Sequence, residues 1–244
     1  MHVNFTDDPT YAVFCDSGGS IFELEFKRNV IAKRTSESRC LFSGSRGEWV
    51  NVQPLHMTDD TSAVSNNNRH HSSQSSQPQQ QLRHHPLRRF CIVAMAKLNK
   101  VYIATLKPKL SVVYSHPLTG DPDYLPLLAW QLVPIAQSAS GAGRPAAGAR
   151  TVVEPVLAFA KENTVYLVQA VSSSSSHQSQ NHPASSSSSS EPLRFSLLQT
   201  VSLTYNLTAL RWFNSRTLAL MDVHERIHVV DAKSEEELEA VRSG

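Results

Sequence analysis

Alternating apolar and polar positions recur along the chain in pairs of short runs. The segment TLALMDVHERIHVV at Thr217–Val230 has an apolar alternating run, a polar turn and a second alternating run. Because successive side chains of a strand point to opposite faces, this pattern predicts two adjacent antiparallel strands. The same pattern occurs at Tyr11–Phe26, Cys91–Leu106 and Pro155–Val171. The sequence therefore predicts four hairpins.

Three stretches of low complexity separate these hairpins. Residues 57–88 are rich in Ser, Asn, Gln and His, residues 136–153 in Ala and Gly, and residues 172–192 are largely serine. Such segments bury too little apolar surface to offset the entropy lost on ordering, so we expect disordered insertions that add nothing to a core. Without them the repeat is about 41 to 48 residues long, close to the four-stranded blade of a WD40-type β-propeller.

Residues 1–244 are therefore predicted to form an all-β, WD40-like β-propeller domain of about four blades. The predicted innermost strands of the second, third and fourth blades lie at Glu48–Leu55, Leu127–Ile135 and Leu207–Phe213. Trp130 and Trp212 occupy corresponding places in two of these strands. We expect these large aromatic side chains to pack between blades.

The first blade is predicted to be incomplete. Tyr11–Cys15 and Ser20–Phe26 are interpreted as its two inner strands, and Val30–Arg34 and Arg39–Phe42 as its outer edge, so that the chain begins inside a blade. A propeller closes when its last blade meets its first. We therefore expect an incomplete ring whose two end blades present apolar faces, with aggregation or partial order of this chain alone.

Charge and hydropathy exclude several classes of protein. The 23 Lys and Arg residues nearly balance the 21 Asp and Glu residues, which gives no global case for nucleic-acid or acidic-membrane binding. The basic stretch Arg83–Arg89 is interpreted as a solvated loop, with a weak nuclear-targeting or anionic-surface patch as the alternative. No secretory signal and no run of 18 apolar residues is visible, so a cytosolic chain is expected.

The cysteine pattern supports the same compartment. Cys15, Cys40 and Cys91 are odd in number, widely spaced, and each lies in or beside an apolar run. This is typical of free thiols packed as small apolar side chains in a reducing compartment rather than of a disulfide framework.

The search for catalytic chemistry gives a negative prediction. The sequence has no Gly-x-Ser-x-Gly, His-Glu-x-x-His or P-loop motif. The alternative of a propeller hydrolase with a metal or carboxylates in its central channel would require acids or histidines near the start of the innermost strands, and Trp49–Leu55, Leu127–Ile135 and Leu207–Phe213 offer essentially none. His224 and His228 lie four apart across a predicted turn, which would not place them on one face. The remaining acids and histidines are read as turn caps or as compositional; they are Asp7, Asp8, Asp16, Asp222, Asp231, His70, His71, His84 and His85. We predict no enzyme activity, no catalytic, metal-binding or cofactor-binding residue and no cofactor.

Several segments carry a family resemblance. They are FTDDPTYAVFCDSGGSIFELEF, RTSESRCLFSGSRGE, PLLAW, WFNSRTLAL and IHVVDAKSEEELE, in this order along the chain. Together they resemble the N-terminal β-propeller of the vacuolar protein sorting-associated protein 8 family, subunits of the CORVET endosomal tethering complex. The stretch Ser36–Glu48 is the most specific. The three insertions depart from the family pattern, but they fall between predicted strands.

The resemblance implies a function as well as a fold. It implies a ring of about seven blades, followed in such proteins by an α-solenoid and a RING-type zinc domain. It also implies a non-catalytic scaffold in Rab-dependent endosome fusion and transport to the vacuole or lysosome. The implied partners are tethering-complex subunits and a Rab5-type small GTPase, with no nucleic acid and no small-molecule substrate. The chain would be cytoplasmic and bound peripherally, through those partners, to early or late endosomes.

Two loops are candidate contacts for such partners, Asp16–Gly19 and Ser43–Glu48. The alternative is that these turns merely close hairpins. Two other functions stay open at this point: a generic WD40-like scaffold in another trafficking or signalling complex, and a propeller that docks directly on a membrane. The last would need a basic patch on one face, whereas most Lys and Arg residues are scattered.

Overall fold

Four antiparallel sheets build the described part of the chain. The computed structural model describes residues 3–8, 10–28, 34–44, 48–57, 85–137, 150–171, 193–232 and 237–241. Within these ranges lie sixteen strands, four in each sheet, and one short 3-10 turn at Pro86–Arg89. In every sheet the strands are hydrogen-bonded in chain order. The predicted all-β class and the four blades are confirmed.

The first blade is complete, contrary to the prediction that the chain begins inside it. Its strands are β1 (Val3–Phe5), β2 (Tyr11–Cys15), β3 (Ile21–Arg28) and β4 (Arg34–Phe42). The three residues of β1 pair with β2 in the register Asn4 to Val13, but they are too few to show an alternating pattern. The two outer strands predicted at Val30–Arg34 and Arg39–Phe42 were also wrong, because β4 is one strand.

The other three blades follow the same order. The second blade consists of β5 (Trp49–Pro54), β6 (Cys91–Lys97), β7 (Lys100–Lys107) and β8 (Ser111–Pro117). The third consists of β9 (Leu127–Gln137), β10 (Arg150–Lys161), β11 (Thr164–Val171) and β12 (Arg194–Ser202). The fourth consists of β13 (Leu207–Trp212), β14 (Thr217–Asp222), β15 (Ile227–Asp231) and β16 (Glu237–Val241).

The hydrophobic core lies between consecutive blades. One buried cluster joins blades 1 and 2, a second joins blades 2 and 3, and a third joins blades 3 and 4. Fully buried side chains such as Val13, Phe159 and Leu220 each contribute about 1.5–3 kcal/mol relative to an exposed position. Among the described residues, no buried cluster joins blade 4 to blade 1, so the ring is open.

Two tryptophans fasten neighbouring blades to one another. Trp130 Nε1 in β9 donates to the carbonyl oxygen of Gln53 in β5 at 3.0 Å. Trp212 Nε1 in β13 donates to the carbonyl oxygen of Ala129 in β9 at 3.1 Å. Each indole thus packs against the preceding blade and finds a partner for its N–H there. The prediction of inter-blade packing by these side chains is confirmed.

The predicted insertions are narrower than the sequence indicated. Met57 and Leu87, at the margins of the first, are buried in the cluster between blades 2 and 3. The expectation that residues 57–88 add nothing to a core is wrong at these margins. A single apolar residue among polar neighbours gives no pattern from which its burial can be predicted. The second insertion is shortened by β9 and β10, which include residues 136–137 and 150–153. Residues 58–84, 138–149 and 172–192 lie outside the described residues.

The three cysteines are free thiols in different surroundings. Cys15 and Cys91 are half-buried beside the cluster between blades 1 and 2. Burial raises the pKa of both thiols, and that of Cys91 reaches about 11. Cys40 is exposed on β4, so the expectation that it packs as a small apolar side chain is wrong.

Candidate interaction face

Antiparallel strands divide the connections of the four blades between two ends. We define the turn face as the end with the turns between the second and third strands and the connections from one blade to the next. We define the insertion face as the opposite end, with the connections between first and second and between third and fourth strands. The described helical segment, at the insertion face, is not long and apolar enough to span a membrane.

All three predicted insertions start and end on the insertion face. They connect β5 to β6, β9 to β10 and β11 to β12. The two candidate loops, Asp16–Gly19 and Ser43–Glu48, lie on the turn face, since they connect β2 to β3 and β4 to β5. The strand ends that these three segments join therefore lie at the end of the blades opposite the candidate contacts.

The structure brings the two candidate loops into direct contact. Asp16 Oδ1 accepts from the Ser20 backbone N–H at 2.7 Å and closes the first loop. The Gly44 N–H donates to Ser20 Oγ at 3.0 Å, and the Trp49 N–H donates to the Gly19 carbonyl oxygen at 3.1 Å. Residues 45–47 lie outside the described residues. The first loop is thereby held against both ends of the second.

Two glycines make this approach possible. Gly19 has a φ of 78°, in the region that favours glycine. A Cβ on Gly44 would overlap the Gly19 carbonyl oxygen, and it would lie 2.7 Å from the Gly19 carbonyl carbon and 3.0 Å from Trp49 Cδ1. The second loop can therefore lie this close to the first because position 44 has no side chain.

An ion pair and an aromatic cluster connect the second loop to the core. Glu48 Oε1 accepts from Lys97 Nζ, which also lies 4.5 Å from the Trp49 ring centroid. The Trp49 ring packs against Phe42 and Tyr102, with centroids 5.5 and 5.3 Å away. A cation over an indole face is attracted by the ring quadrupole. Movement of this loop would therefore disturb the packing between blades 1 and 2.

Sequence reasoning missed a third part of the turn face, the connection from β8 to β9 at residues 118–126. The Asp121 N–H donates to Glu162 Oε1 in the β10–β11 turn, and Gly120, with a φ of 114°, leaves room for that carboxylate. Tyr124 OH accepts from Asn206 Nδ2 at 3.0 Å, and Leu125 is 57% exposed. The Pro, Gly and Asp residues of the connection at 118–126 are turn signals that could have indicated this loop.

The turn of blade 4 is closed by a buried carboxylate. Asp222 Oδ1 accepts from the backbone N–H groups of His224 and Arg226 at 2.8 and 2.9 Å, and Oδ2 lies 3.0 Å from His228 Nε2. Burial alone would raise the pKa of Asp222, but the hydrogen bonds from His228 and from the two N–H groups lower it to about 2. His228 also stacks on Tyr205. His228 is thus a satisfied histidine, whereas His224 is exposed, and the two do not share a face.

The histidines of the first insertion separate into two groups. His85 Nδ1 accepts from the Leu87 backbone N–H at 3.2 Å and so caps the 3-10 turn. Its Nε2 lies 3.8 Å from Glu154 Oε2. His70, His71 and His84 lie outside the described residues. In the described part of the chain, no three His, Cys, Asp or Glu side chains are grouped as metal ligands.

The turn face is an ordered surface that carries exposed apolar side chains. Its neighbouring turns are held by hydrogen bonds within and between blades, and Leu125 and Val223 expose 57% and 43% of their surface there. Rigid loops lose little entropy on binding, which favours affinity for a partner.

Four antiparallel blades, packed in chain order along their first strands and open at the ends, define an incomplete WD40-like β-propeller. The family model described as the Vps8 beta-propeller matches residues 1–243. The chain belongs to the Vps8 β-propeller family.

Individual relatives agree with this assignment. The human vacuolar protein sorting-associated protein 8 homolog is 38% identical over 245 residues, which cover 99% of this chain and 13% of the human protein. The Drosophila melanogaster homolog is 33% identical over 241 residues, which cover 99% of this chain and 16% of that protein. The chain thus spans a small part of its curated relatives.

The crystal structure of the WD40 domain of SCAP from fission yeast aligns with a TM-score of 0.49 at 8% identity, covering 100% of this chain and 42% of that chain.

Proposed function

We propose that the chain is a non-catalytic interaction scaffold in vacuolar protein sorting. The observation that carries this proposal is the match of the Vps8 β-propeller family over residues 1–243, together with relatives named for vacuolar protein sorting. A propeller suits such a role because packed blades hold loops rigidly, and function resides in those loops.

The more specific proposal is a role in an endosomal tethering complex. Its partners are other tethering subunits and a Rab5-type small GTPase, and the chain is held peripherally on endosome membranes through them during fusion. We assign the contact to the turn face. The support is the preorganised contact between the loops at Asp16–Gly19 and Ser43–Glu48, and the exposed apolar Leu125 on the same face.

Direct docking on a membrane is less favoured by the charges. Two exposed cations of blade 1 are paired with carboxylates: Lys27 with Glu37, and Arg39 with Glu23. Pairing lowers the free positive charge available to anionic lipids. These pairs favour recruitment through a membrane-bound partner over direct docking of blade 1.

Binding measurements with turn-face variants test the proposal. The folded chain is immobilised, and a Rab5-type GTPase loaded with a GTP analogue or with GDP, or a tethering subunit, is passed over it. We expect GTP-dependent binding that Leu125→Glu weakens at least about tenfold, which corresponds to 1.4 kcal/mol. Val112→Glu, on the outer strand β8 and 48% exposed in the wild type, is the matched control and should bind normally.

Two results would contradict the proposal at different levels. Equal weakening by the two variants would show that the turn face is not the contact surface. If the chain, folded by circular dichroism, binds neither the GTPase nor any tethering subunit, the tethering role of this segment is wrong.

A further inference from the structure

Two segments of the turn face that expose apolar side chains are joined through Asn206. Tyr124 OH, directly before Leu125, accepts from Asn206 Nδ2 at 3.0 Å, and the Val223 N–H donates to the Asn206 carbonyl oxygen at 3.1 Å. Leu125 is 57% and Val223 43% exposed. Blade 3, around which these connections run, is packed against a neighbour on each side, so the surface belongs to the turn face and not to an outer side of the first or last blade. We call Tyr124, Leu125 and Val223 the apolar patch.

Three carboxylates border the apolar patch. Asp121 and Asp123 precede it in the connection from β8 to β9, and both are exposed. Asp121 Oδ1 accepts from the Asp123 N–H at 2.9 Å, and the Asp121 N–H donates to Glu162 Oε1 in the β10–β11 turn. The Glu162 carbonyl oxygen accepts from the Leu207 N–H at 2.8 Å, directly after Asn206. Hydrogen bonds therefore hold all three carboxylates beside the patch.

No cation of the described residues neutralises these carboxylates. None of the three forms an ion pair with another described residue. Lys161, the neighbour of Glu162 in sequence, is 5% exposed, and its Nζ donates to the Leu98 carbonyl oxygen at 2.7 Å between blades 2 and 3. Arg226 is exposed in the β14–β15 turn but does not pair with them. The negative charge beside the patch is therefore available to a partner.

Exposed apolar side chains beside unpaired carboxylates suit a partner that presents apolar and basic side chains together. Protein interfaces combine an apolar centre with a polar rim. Opposite charges at the rim attract the partner over a distance and fix its orientation on the surface. The same carboxylates repel phosphate groups, which disfavours nucleic acids and anionic lipids at this surface. The charge therefore selects a basic protein segment.

We propose that the apolar patch and its three carboxylates bind a segment of a partner protein in which apolar residues are flanked by lysine or arginine. The inference rests on the proposed function, which assigns partner contacts to the turn face, and adds the chemistry that the partner must have. The apolar residues of the segment cover Leu125 and Val223, which are the most exposed part of the patch. Its cations lie against Asp121, Asp123 and Glu162.

Fluorescence polarisation with two labelled amphipathic peptides tests this chemistry. Both peptides have about four helical turns and the same leucine face, but one carries lysines on its other face and the second carries glutamates. We expect the chain to bind the lysine peptide at least about tenfold more tightly. The formal net charge of the chain is +2, so its overall charge favours the glutamate peptide and a preference for lysine must come from a local surface. Equal binding of both peptides, or tighter binding of the glutamate peptide, would overturn the proposal.

Neutral variants locate the binding surface. The double variant Asp121→Asn with Asp123→Asn removes two negative charges and keeps a side-chain oxygen that can accept from the backbone, so circular dichroism should show it folded. It should bind the lysine peptide about fivefold more weakly than the wild type. Glu25→Gln with Glu37→Gln, which removes two exposed carboxylates from blade 1, is the matched control and should bind normally. If the two double variants bind the lysine peptide equally, the proposed site is wrong.

The same variants separate this inference from the proposed tethering role. If neither the GTPase nor a tethering subunit binds, but the lysine peptide binds the wild type more tightly than Asp121→Asn with Asp123→Asn, the tethering role is wrong and the inference stands. If a GTPase or tethering subunit binds and Leu125→Glu weakens it, while both double variants bind the lysine peptide equally, the turn face is the contact surface and the basic partner is wrong.

Discussion

Replacing Gly44 by alanine should destabilise the protein through the contact between the two candidate loops. The added Cβ would overlap the Gly19 carbonyl oxygen and lie 2.7 Å from its carbon, so one backbone segment must move. Overpacking of this kind costs about 1–3 kcal/mol. The movement also weakens the hydrogen bonds from Gly44 N–H to Ser20 Oγ and from Trp49 N–H to the Gly19 carbonyl oxygen, each worth about 1 kcal/mol. We expect a loss of about 2–3 kcal/mol.

Urea unfolding monitored by circular dichroism measures this change at fixed protein concentration. Gly18→Ala in the first loop is the matched control, because a Cβ there would meet Asp16 Oδ1 at an ordinary 3.4 Å. This control should stay within about 0.5 kcal/mol of the wild type. If Gly44→Ala unfolds at the same urea concentration as Gly18→Ala, the close approach of the two loops is not a rigid feature. The proposal that these two loops form one preorganised part of the turn face would then lose its basis.

Three further predictions concern the blade contacts, the buried carboxylate and the thiols. Trp212→Phe keeps an aromatic ring but leaves the Ala129 carbonyl oxygen without its donor, and should cost about 1–2 kcal/mol in urea unfolding, against 3–5 for Trp212→Ala. The pKa of Asp222 is about 2, below its ordinary 3.8, so the stability it contributes is present above pH 4 and lost as the pH falls to 2. The melting temperatures of wild type and Asp222→Asn should therefore converge over that range, and a constant difference would contradict the assigned hydrogen bonds. At pH 8, DTNB should modify the exposed Cys40 quickly and Cys91 slowly. The reason is that, with a pKa of about 11, only about a thousandth of Cys91 is thiolate at this pH. Equal rates of DTNB modification in the Cys40→Ser and Cys91→Ser variants would refute this.

The sequence predicted those parts of the fold in which alternation is long enough to be seen. The hairpin at Pro155–Val171 is an example, because its successive side chains alternate between the two neighbouring blades and its two long apolar runs are separated by a polar turn. The strand Val3–Phe5 was missed because three residues show no period, and Arg34–Phe42 was divided because an outer strand has few buried positions to mark it. Local pattern predicts a strand from the faces it buries, and the outermost strands bury little.

The candidate site was predictable only in part. Gly-rich turns identified both loops, but their contact depends on Ser20 and Gly44, which are 24 residues apart, being brought together by the pairing of whole strands. The connection at residues 118–126 was missed for a related reason. Its importance comes from Glu162, 41 residues beyond Asp121, and no local signal records that partner. Short-range chemistry can indicate a turn, whereas its neighbours are decided by tertiary packing.

The order of the strands in a blade decides at which end of the blade each connection lies. Within a four-stranded blade, the first and third connections always return on one side, and the second connection and the exit to the next blade return on the other. A connection can gain any number of residues without changing its side. Residues 58–84, 138–149 and 172–192 are therefore all joined to the described strands at a single end of the blades, and residues added to them leave the connections at the other end unchanged. A fluorescent tag placed in any of these three segments should likewise leave that other end open to partners.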